Sequence, residues 1–332
     1  MRIRKLKDGE KGGARRLYEE IFSEDSPSFV DYYYTEKMKD NTIYVVEEEG
    51  GMRAMLHLNP YTLMVNGREE PSHYIVAVAT EEAYRKRGYM AALLKTALRD
   101  MYRAGEPFTF LMPAAEEIYL PHGFSTVYEQ ERRYFRGEEE LPDGWSARKA
   151  LPADAADIAD MAESELKGRY KVYAKRDQAY YERLIREYES DGGCLMVCEQ
   201  EGRIVDCLPA VEELPEERPK IMVRPVNVKR LLLLLELNYL TAVCFQVTDP
   251  IIPENNQVFM MTGTEFSGVM LMEGKPENSE GTLTVEALTK LVFGRISPDH
   301  IEKEKGVTAT ERMKEELKKI VPLSPVYLNE VV

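Results

Sequence analysis

The chain has 332 residues, of which 44% are hydrophobic and 31% are charged, a composition typical of soluble globular proteins that excludes collagen-like, coiled-coil and disordered classes. Its 44 basic and 58 acidic side chains give a net charge of −14, so no nucleic acid is expected as the main partner and cationic substrates are favoured. At roughly 150 residues per domain, the length predicts two or three domains.

The first 135 residues alternate between helical and strand patterns. Apolar residues at helical spacing predict helices over Glu10–Phe22, Ser28–Lys39 and Met90–Ala104. Glycines at Gly50-Gly51 and Asn66-Gly67 mark turns between the first three strands. The predicted strands are Thr42–Glu47, Ala54–Val65, His73–Thr80, Phe108–Met112 and Ser125–Phe135, and a short helical turn is predicted over Ala115–Pro121.

The middle of the chain follows a Gly-, Glu- and Pro-containing linker over Gly137–Gly144. It has helical patterns over Asp154–Gly168 and Gln178–Asp191, then two strand patterns, Cys194–Gln200 and Arg203–Ala210. The sequence ELPEERP closes this unit, which is small for an independent domain and is expected to pack against a neighbour. The predicted domains are residues 1–136, 137–219 and 220–332.

The remaining residues mix helices and strands. Periodicity and capping residues predict helices over Val228–Asn238, Thr284–Phe293 and Thr310–Ile320. The predicted strands are Ala242–Thr248, Val258–Thr262 and Thr264–Glu273. The last ten residues, LSPVYLNEVV, are apolar and contain a proline, so they are expected to be extended and docked on the protein.

Membrane, export and metal-binding signals are not found in the sequence. The longest stretch without Asp, Glu, Lys or Arg runs from Ala54 to Gly67, shorter than the roughly 18 apolar residues of a membrane span. The basic N-terminus lacks a following apolar segment, which predicts a cytoplasmic protein. The cysteines have no C-x-x-C spacing and the histidines no ligand spacing, so reduced thiols and no metal site are expected. The cysteines are Cys194, Cys198, Cys207 and Cys244.

Residues 75–92, IVAVATEEAYRKRGYMAA, have the order of a phosphate-binding segment. An apolar strand is followed by a polar connection and by Arg85-Lys86-Arg87-Gly88, which opens an amphipathic helix. The first N–H groups of a helix lack partners and carry the positive end of its dipole, and Gly88 lets a ligand approach the backbone. The alternative is a solvated cationic turn that only starts the helix.

This segment is similar to motif A of the GNAT acetyltransferases, [RQ]-x-x-G-x-[GA]. Arg85 and Gly88 match, and Met90 replaces the last small residue. The resemblance implies that acetyl-CoA is the co-substrate, and that the strand before the loop splays from Phe108–Met112 so that the pantetheine arm pairs with it. The residues implied to bind acetyl-CoA are Val76, Ala77 and Val78 for pantetheine, and Arg85, Lys86, Arg87, Gly88, Tyr89, Met90 and Ala91 for the pyrophosphate.

A second similarity lies in LMPAAEEIYLPHGF, Leu111 to Phe124. GNAT enzymes commonly have a Tyr on the short helix after this strand and a following Gly-Phe pair, which match Tyr119, Gly123 and Phe124. A Tyr hydroxyl near the sulfur can protonate the departing thiolate, so the resemblance implies that Tyr119 is the general acid. The alternative for Tyr119 is a packing aromatic.

The whole chain resembles the enhanced intracellular survival family of GNAT N-acetyltransferases. The resemblance rests on the two segments above, on KIMVRPVNVKRLL (Lys220 to Leu232), on TDPIIPENN (Thr248 to Asn256) and on the ending PVYLNEVV. It implies a mixed α+β and α/β fold class, with a GNAT acyltransferase domain, a reduced second GNAT-like domain and a sterol-carrier-protein-like domain. It also implies a homo-oligomer that acetylates a primary amine of a small molecule or peptide.

In that family the C-terminal carboxylate reaches the active site and is proposed to assist deprotonation of the amine. Here this group belongs to Val332, and the alternative is a docked tail with no catalytic role. Two other functions stay open: a hydrophobic-ligand or lipid carrier through residues 220–332, and a catalytically silent binding module. An aminoglycoside, a polyamine and a Lys-like amine are all compatible acceptors.

Overall fold

The computed structural model describes residues 1–211 and 218–330. In these ranges the strands are β1 Arg2–Lys5, β2 Thr42–Glu48, β3 Gly51–Val65, β4 Arg68–Thr80, β5 Phe108–Leu111, β6 Ser125–Glu129, β7 Trp145–Lys149, β8 Val172–Ala174, β9 Cys194–Gln200, β10 Arg203–Ala210, β11 Lys220–Pro225, β12 Glu236–Leu237, β13 Thr241–Thr248, β14 Val258–Thr264, β15 Gly268–Glu273, β16 Gly281–Thr284, β17 Thr308–Ala309, β18 Ile320–Val321 and β19 Val326–Tyr327. The α-helices are α1 Arg15–Ile21, α2 Pro27–Thr35, α3 Tyr89–Ala104, α4 Glu116–Tyr119, α5 Ala155–Leu166, α6 Gln178–Ser190, α7 Val228–Leu233, α8 Val285–Val292 and α9 Glu311–Leu317.

The N-terminal part is built on a mixed sheet with the strand order β1-β2-β3-β4-β5-β11-β6. Two-residue turns with positive φ at Glu49-Gly50 and Asn66-Gly67 connect β2, β3 and β4 into antiparallel hairpins. The amphipathic helix α3 packs on one face, where Leu93, Leu94 and Leu98 are buried. Helices α1 and α2 contribute to a separate apolar cluster that also contains residues of β2, β3 and β4. The sheet is thus covered on both faces, and its β4–α3 connection is the segment predicted to bind phosphate.

Strand β11 lies inside this sheet although its residues are far along the chain. It pairs antiparallel with β5 and with β6, and Met222 and Val223 have partners on both sides. The sequence-based division at 219/220 assigned these residues to the C-terminal domain. Pairing between strands separated by about a hundred residues carries no local signal, because hydrophobic runs specify burial and not a partner.

The middle segment forms a three-stranded sheet of order β10-β9-β7 covered by α5 and α6. Strands β7 and β8 were not predicted. β8 pairs with the end of β3, and β19 near the C-terminus pairs in parallel with β8. The middle segment and the tail therefore both extend the N-terminal sheet.

The C-terminal part contains a sheet of order β15-β14-β13-β16-β17. Its apolar interior is continuous with the N-terminal sheet, since Phe293 after α8 makes an edge-to-face contact with Phe108 of β5, the ring centroids 5.6 Å apart. All four cysteines are free thiols. The mixed fold class predicted from the sequence is confirmed.

Several predicted elements differ from the structure in extent, as three examples show. The predicted helix Glu10–Phe22 is a 3₁₀ helix over Asp8–Ala14 followed by α1, because the glycines before Ala14 have low α-helical propensity. The strand predicted to reach Phe135 ends at Glu129. The helix predicted over Val228–Asn238 ends at Leu233, and β12 then pairs with β18.

Candidate active site

The N-terminal sheet opens between β4 and β5. Their parallel pairing is confined to Tyr74 with Phe110 and Ile75 with Leu111, whereas β4 continues to Thr80. Ala77 has a φ of 48°, and the pairing of β4 with β3 shifts register there. Such a bulge re-aims backbone groups, and an open strand edge offers them to an extended ligand. The structure places Val76, Ala77 and Val78 at this opening.

The loop after β4 leads into an open helix N-terminus. Lys86 and Gly88 both have left-handed backbone conformations, with φ of 62° and 80°. The N–H of Ala92 bonds to the carbonyl of Gly88 at 3.1 Å, and no side chain caps the helix. In the described part of the chain, the N–H groups of Tyr89, Met90 and Ala91 therefore have no acceptor. At the start of the 16-residue helix α3, they form an anion-binding position.

Three cationic side chains surround this position without being neutralised. Among the described residues, no ion pair involves Arg85, Lys86 or Arg87, all of which are exposed. The guanidinium group of Arg87 lies 4.6 Å from the ring centroid of Tyr84, and its Nη2 donates to the carbonyl of Ala83 at 3.2 Å. The charges are thus free to face a polyphosphate.

Two residues of the loop have defined roles in its geometry. A Cβ atom on Gly88 would meet no atom within 4 Å, so the space beside its backbone is open to a ligand. Tyr89 is buried, and its hydroxyl group hydrogen bonds to the carboxylate of Glu48. Only the backbone N–H of Tyr89 can therefore contact a ligand here.

Tyr119 is the last residue of the four-residue helix α4 and is 8% exposed. Its ring packs edge-on against Phe124, with centroids 5.9 Å apart, and belongs to the same apolar cluster as Ile75 of β4. Burial raises the pKa of the hydroxyl group to about 12. The hydroxyl forms no hydrogen bond with the described residues, so at neutral pH it is a protonated, available donor.

The C-terminal tail is held inside the molecule up to the last described residue. Val332 lies outside the described residues. Nε2 of Gln130 donates to the carbonyl oxygens of Leu328 and Glu330 at 2.9 and 3.1 Å, and the hydroxyl group of Tyr128 donates to Oδ1 of Asn329 at 2.8 Å. The predicted docking of the tail is confirmed for these residues.

A cavity of about 300 Å³ lies between β3 and α6, and sequence reasoning missed it. It lies on the sheet face to which Tyr61 and Tyr74 contribute, where the two rings pack together with Phe110. The sequence signal is the presence of Asn59 and Tyr61 within the mostly apolar β3. Residues of both the N-terminal and middle segments line it: Lys37, Asp40, Asn59, Pro60, Tyr61, Thr62, Lys175, Asp177, Ala179, Tyr180, Arg183, Leu184 and Glu187.

Buried polar atoms without partners lie at this cavity. Neither amide atom of Asn59 has a hydrogen-bond partner among the described residues. Oε2 of Glu187 pairs with Nζ of Lys37 at 2.7 Å, whereas Oε1 has no partner within the same ranges. Burial raises the pKa of Glu187, an effect that Lys37 opposes. Two acceptor oxygens and one amide donor are therefore available to a polar ligand.

The cavity is close to the residues of the opening. In the described ranges, the hydroxyl group of Tyr74 on β4 has no hydrogen-bond partner. Burial is the main cause of its raised pKa, and nearby Glu187, Glu330 and Tyr119 raise it further. Tyr74 thus lies near Glu187 of the cavity and near Tyr119.

Metal-binding clusters and membrane-spanning helices are both absent from the described ranges. No group of three or more His, Cys, Asp or Glu side chains there could hold a metal ion. No helix in those ranges is both long and apolar enough to cross a bilayer.

Comparison with known proteins agrees with this geometry. Residues 2–127 match the family described as an acetyltransferase (GNAT) domain, and residues 229–329 match the sterol carrier protein domain. No curated protein sequence matches the chain.

Several experimental structures share the fold over nearly the whole chain. A probable N-acyltransferase from Enterococcus faecalis is 12% identical with a TM-score of 0.77, covering 97% of both chains. A GCN5-related N-acetyltransferase from Anabaena variabilis is 14% identical with a TM-score of 0.74, covering 98% of this chain and 99% of the other. Eis1 from Mycobacterium abscessus is 14% identical with a TM-score of 0.69, covering 96% of this chain and 97% of the other.

The protein therefore carries a GNAT acetyltransferase domain at its N-terminus and a sterol-carrier-like domain at its C-terminus. The N-terminal domain makes the protein an enzyme of the acetyltransferase class.

Proposed function

We propose that the protein transfers the acetyl group of acetyl-CoA to a primary amine, with Tyr119 as general acid. One observation carries this proposal: Ile75 and Val78 on either side of the bulge in β4, Tyr89 at the open N-terminus of α3, and Tyr119, whose hydroxyl group is unpaired among the described residues, pack in one apolar cluster. Pantetheine would pair with Val76–Val78, and the pyrophosphate would bind the N–H groups and cations of residues 85–91.

The reaction forms an N–C bond and breaks a C–S bond. The amine must lose a proton and the departing thiolate must gain one. The hydroxyl of Tyr119 supplies the second proton, because its pKa of about 12 keeps it protonated at neutral pH. The carboxylate of Val332 is our proposal for assisting the first transfer, supported by the docked course of the tail up to Glu330.

We propose that the acceptor binds in the cavity between β3 and α6. The free oxygens of Asn59 and Glu187 suit the N–H groups of a protonated or primary amine, and the amide group of Asn59 suits a hydroxyl or carbonyl of the same molecule. Three cationic and three anionic side chains line this cavity, so specificity for a cationic acceptor would rest on Glu187 and on the chain's net charge of −14.

The test is release of CoA thiol from acetyl-CoA with a panel of aminoglycosides, polyamines and Lys-containing peptides. We expect Asn59→Leu to raise the KM for the active amine at least tenfold and to leave the KM for acetyl-CoA within twofold. Asn278→Leu, at the exposed end of a 3₁₀ turn in the C-terminal domain, is the control and is expected to match the wild type. Unchanged amine kinetics in Asn59→Leu would place the acceptor elsewhere.

We retain as proposals the homo-oligomer that the resemblance implies and the cytoplasmic location. Light scattering of the purified protein and cell fractionation test these two points.

A further inference from the structure

A fully buried ion pair connects the N-terminal sheet to the C-terminal domain. Arg224 of β11 and Asp249 after β13 have no exposed side-chain surface, and Nη2 of Arg224 lies 2.6 Å from Oδ1 of Asp249. These two residues belong to the sequence segments MVRPV and TDPII. Neither segment has a direct role in the proposed transfer of the acetyl group. A buried pair of this kind is costly to desolvate, so its two groups need further hydrogen bonds to offset that cost.

Arg224 holds the turn that follows Tyr119. Its Nε donates to the carbonyl oxygen of His122 at 2.7 Å, and His122 lies in the single 3₁₀ turn Leu120–His122 directly after α4. The close fit is visible at Gly123, where a Cβ atom would lie 3.1 Å from Nε of Arg224. Because α4 has only four residues, its position depends on such tertiary contacts more than on its own hydrogen bonds.

Asp249 anchors the other end of the connection. Its Oδ1 accepts the N–H groups of Ile251 and Ile252 at 2.8 and 3.0 Å, and its Oδ2 accepts Nδ2 of Asn255 at 2.9 Å. Both carboxylate oxygens of Asp249 therefore accept hydrogen bonds, and these bonds fix the loop that follows β13. Ile251 and Ile252 are buried in the same apolar cluster as Tyr119.

We propose that Arg224 and Asp249 are positioning residues, through which the sterol-carrier-like domain holds the Tyr119 turn in the orientation required for protonating the thiolate. This inference rests on the proposed role of Tyr119 as general acid. It gives the C-terminal domain a part in catalysis that involves no lipid.

The experiment is a double-mutant cycle between Arg224→Lys and Tyr119→Phe, with kcat and both KM values measured for each variant. Lysine keeps a positive charge beside Asp249. It lacks the guanidinium fork of arginine, so it cannot also donate to the carbonyl oxygen of His122. We expect Arg224→Lys to lower kcat at least tenfold and to leave the KM for acetyl-CoA within twofold. In the Tyr119→Phe background, the same substitution is expected to change kcat less than twofold, because the group it positions is gone.

The matched control is Arg230→Lys. Arg230 also joins the C-terminal domain to the N-terminal sheet, through Oε2 of Glu70 at 2.6 Å, but it does not contact the Tyr119 turn. We expect its kcat to equal that of the wild type. Melting temperatures of all variants are measured in parallel, and if Arg224→Lys melts below the assay temperature, Arg224→Met/Asp249→Leu replaces it, since that variant leaves no buried charge unpaired.

The outcomes separate the two proposals. If Tyr119→Phe alone keeps the wild-type kcat, the general-acid role is wrong, and the positioning role with it. If Tyr119→Phe is slow while Arg224→Lys has the wild-type kcat, only the positioning role is wrong. Equal losses of kcat from Arg224→Lys in both backgrounds would likewise show that it does not act through Tyr119.

Discussion

Oε1 of Glu330 lies 2.9 Å from Nη2 of Arg176, and both side chains are almost completely buried. The second carboxylate oxygen of Glu330 accepts a 2.6 Å hydrogen bond from the hydroxyl group of Tyr180 on α6. The tail is thus attached to the middle segment by a charged group and not only by the apolar contacts that its sequence predicts.

We expect Glu330→Gln to lower the free energy of unfolding by about 3–5 kcal/mol, because it leaves the charge of Arg176 buried without a counter-ion. Urea unfolding checks this value. The control is Glu69→Gln, which removes an exposed ion pair with Lys175 and should cost at most about 1 kcal/mol. Equal effects of the two substitutions would contradict the burial of the Glu330 pair.

The stability of the protein should depend on pH through His57. Burial lowers the pKa of its ring to about 3, and its Nδ1 lies 2.8 Å from the hydroxyl group of Tyr33. A His in the unfolded chain binds a proton near pH 6.5, whereas the folded protein keeps His57 neutral down to about pH 3. The contribution of His57 to the free energy of unfolding is therefore fully present above pH 6.5 and is lost as pH falls toward 3. Near pH 5 the wild type should lose about 1.4 kcal/mol per pH unit more than His57→Gln. Parallel pH curves for the two proteins would show that His57 is protonated in the folded state.

Gly88→Val should weaken acetyl-CoA binding at least tenfold, about 1.4 kcal/mol. A Cβ atom at this position meets no protein atom within 4 Å, so the loss comes from the left-handed backbone and from the space that the pyrophosphate requires. Gly67→Val is the control, because Gly67 has a φ of +74° and an equally open Cβ position in a hairpin turn at the opposite end of β4. Calorimetry giving equal affinities for both variants would remove the loop from the binding site.

The kcat should depend on the negative charge of the carboxylate at the end of the tail. Amidating Val332 removes the terminal carboxylate and keeps the described contacts of Asn329 and Glu330. If the carboxylate assists deprotonation, amidation lowers kcat at neutral pH, whereas a tail that is only docked leaves kcat unchanged. Deleting residues 329–332 also removes the Glu330 anchor, so this variant should additionally lower the melting temperature.

The sequence predicts the local parts of the candidate site and not its long-range contacts. The strand, cationic loop and amphipathic helix over residues 75–104 are visible because periodicity and glycine placement are local signals. The bulge at Ala77 is not, since nothing in the run Val-Ala-Val distinguishes a left-handed residue from an extended one. The contact of Arg224 with Asp249 is equally hidden, although both residues lie in segments that carry the family resemblance.

The cavity between β3 and α6 also depends on long-range contacts that the sequence does not predict. It requires α6 to lie against β3, which places Glu187 near Asn59 although they are far apart in sequence. An Asn in an apolar strand and a Glu in a Tyr-rich helix each look like an ordinary surface residue, and only tertiary packing buries them.

The most direct test of the account is the kcat of Tyr119→Phe for acetyl transfer to the amine found active in the panel. Removing the general acid should lower kcat by about 10²- to 10⁴-fold and leave both KM values within twofold, since the hydroxyl is needed only in the transition state. Tyr173→Phe, which removes the hydroxyl group of another buried tyrosine, on β8, should retain the wild-type kcat. A Tyr119→Phe enzyme with more than about half of the wild-type kcat would show that Tyr119 is a packing residue.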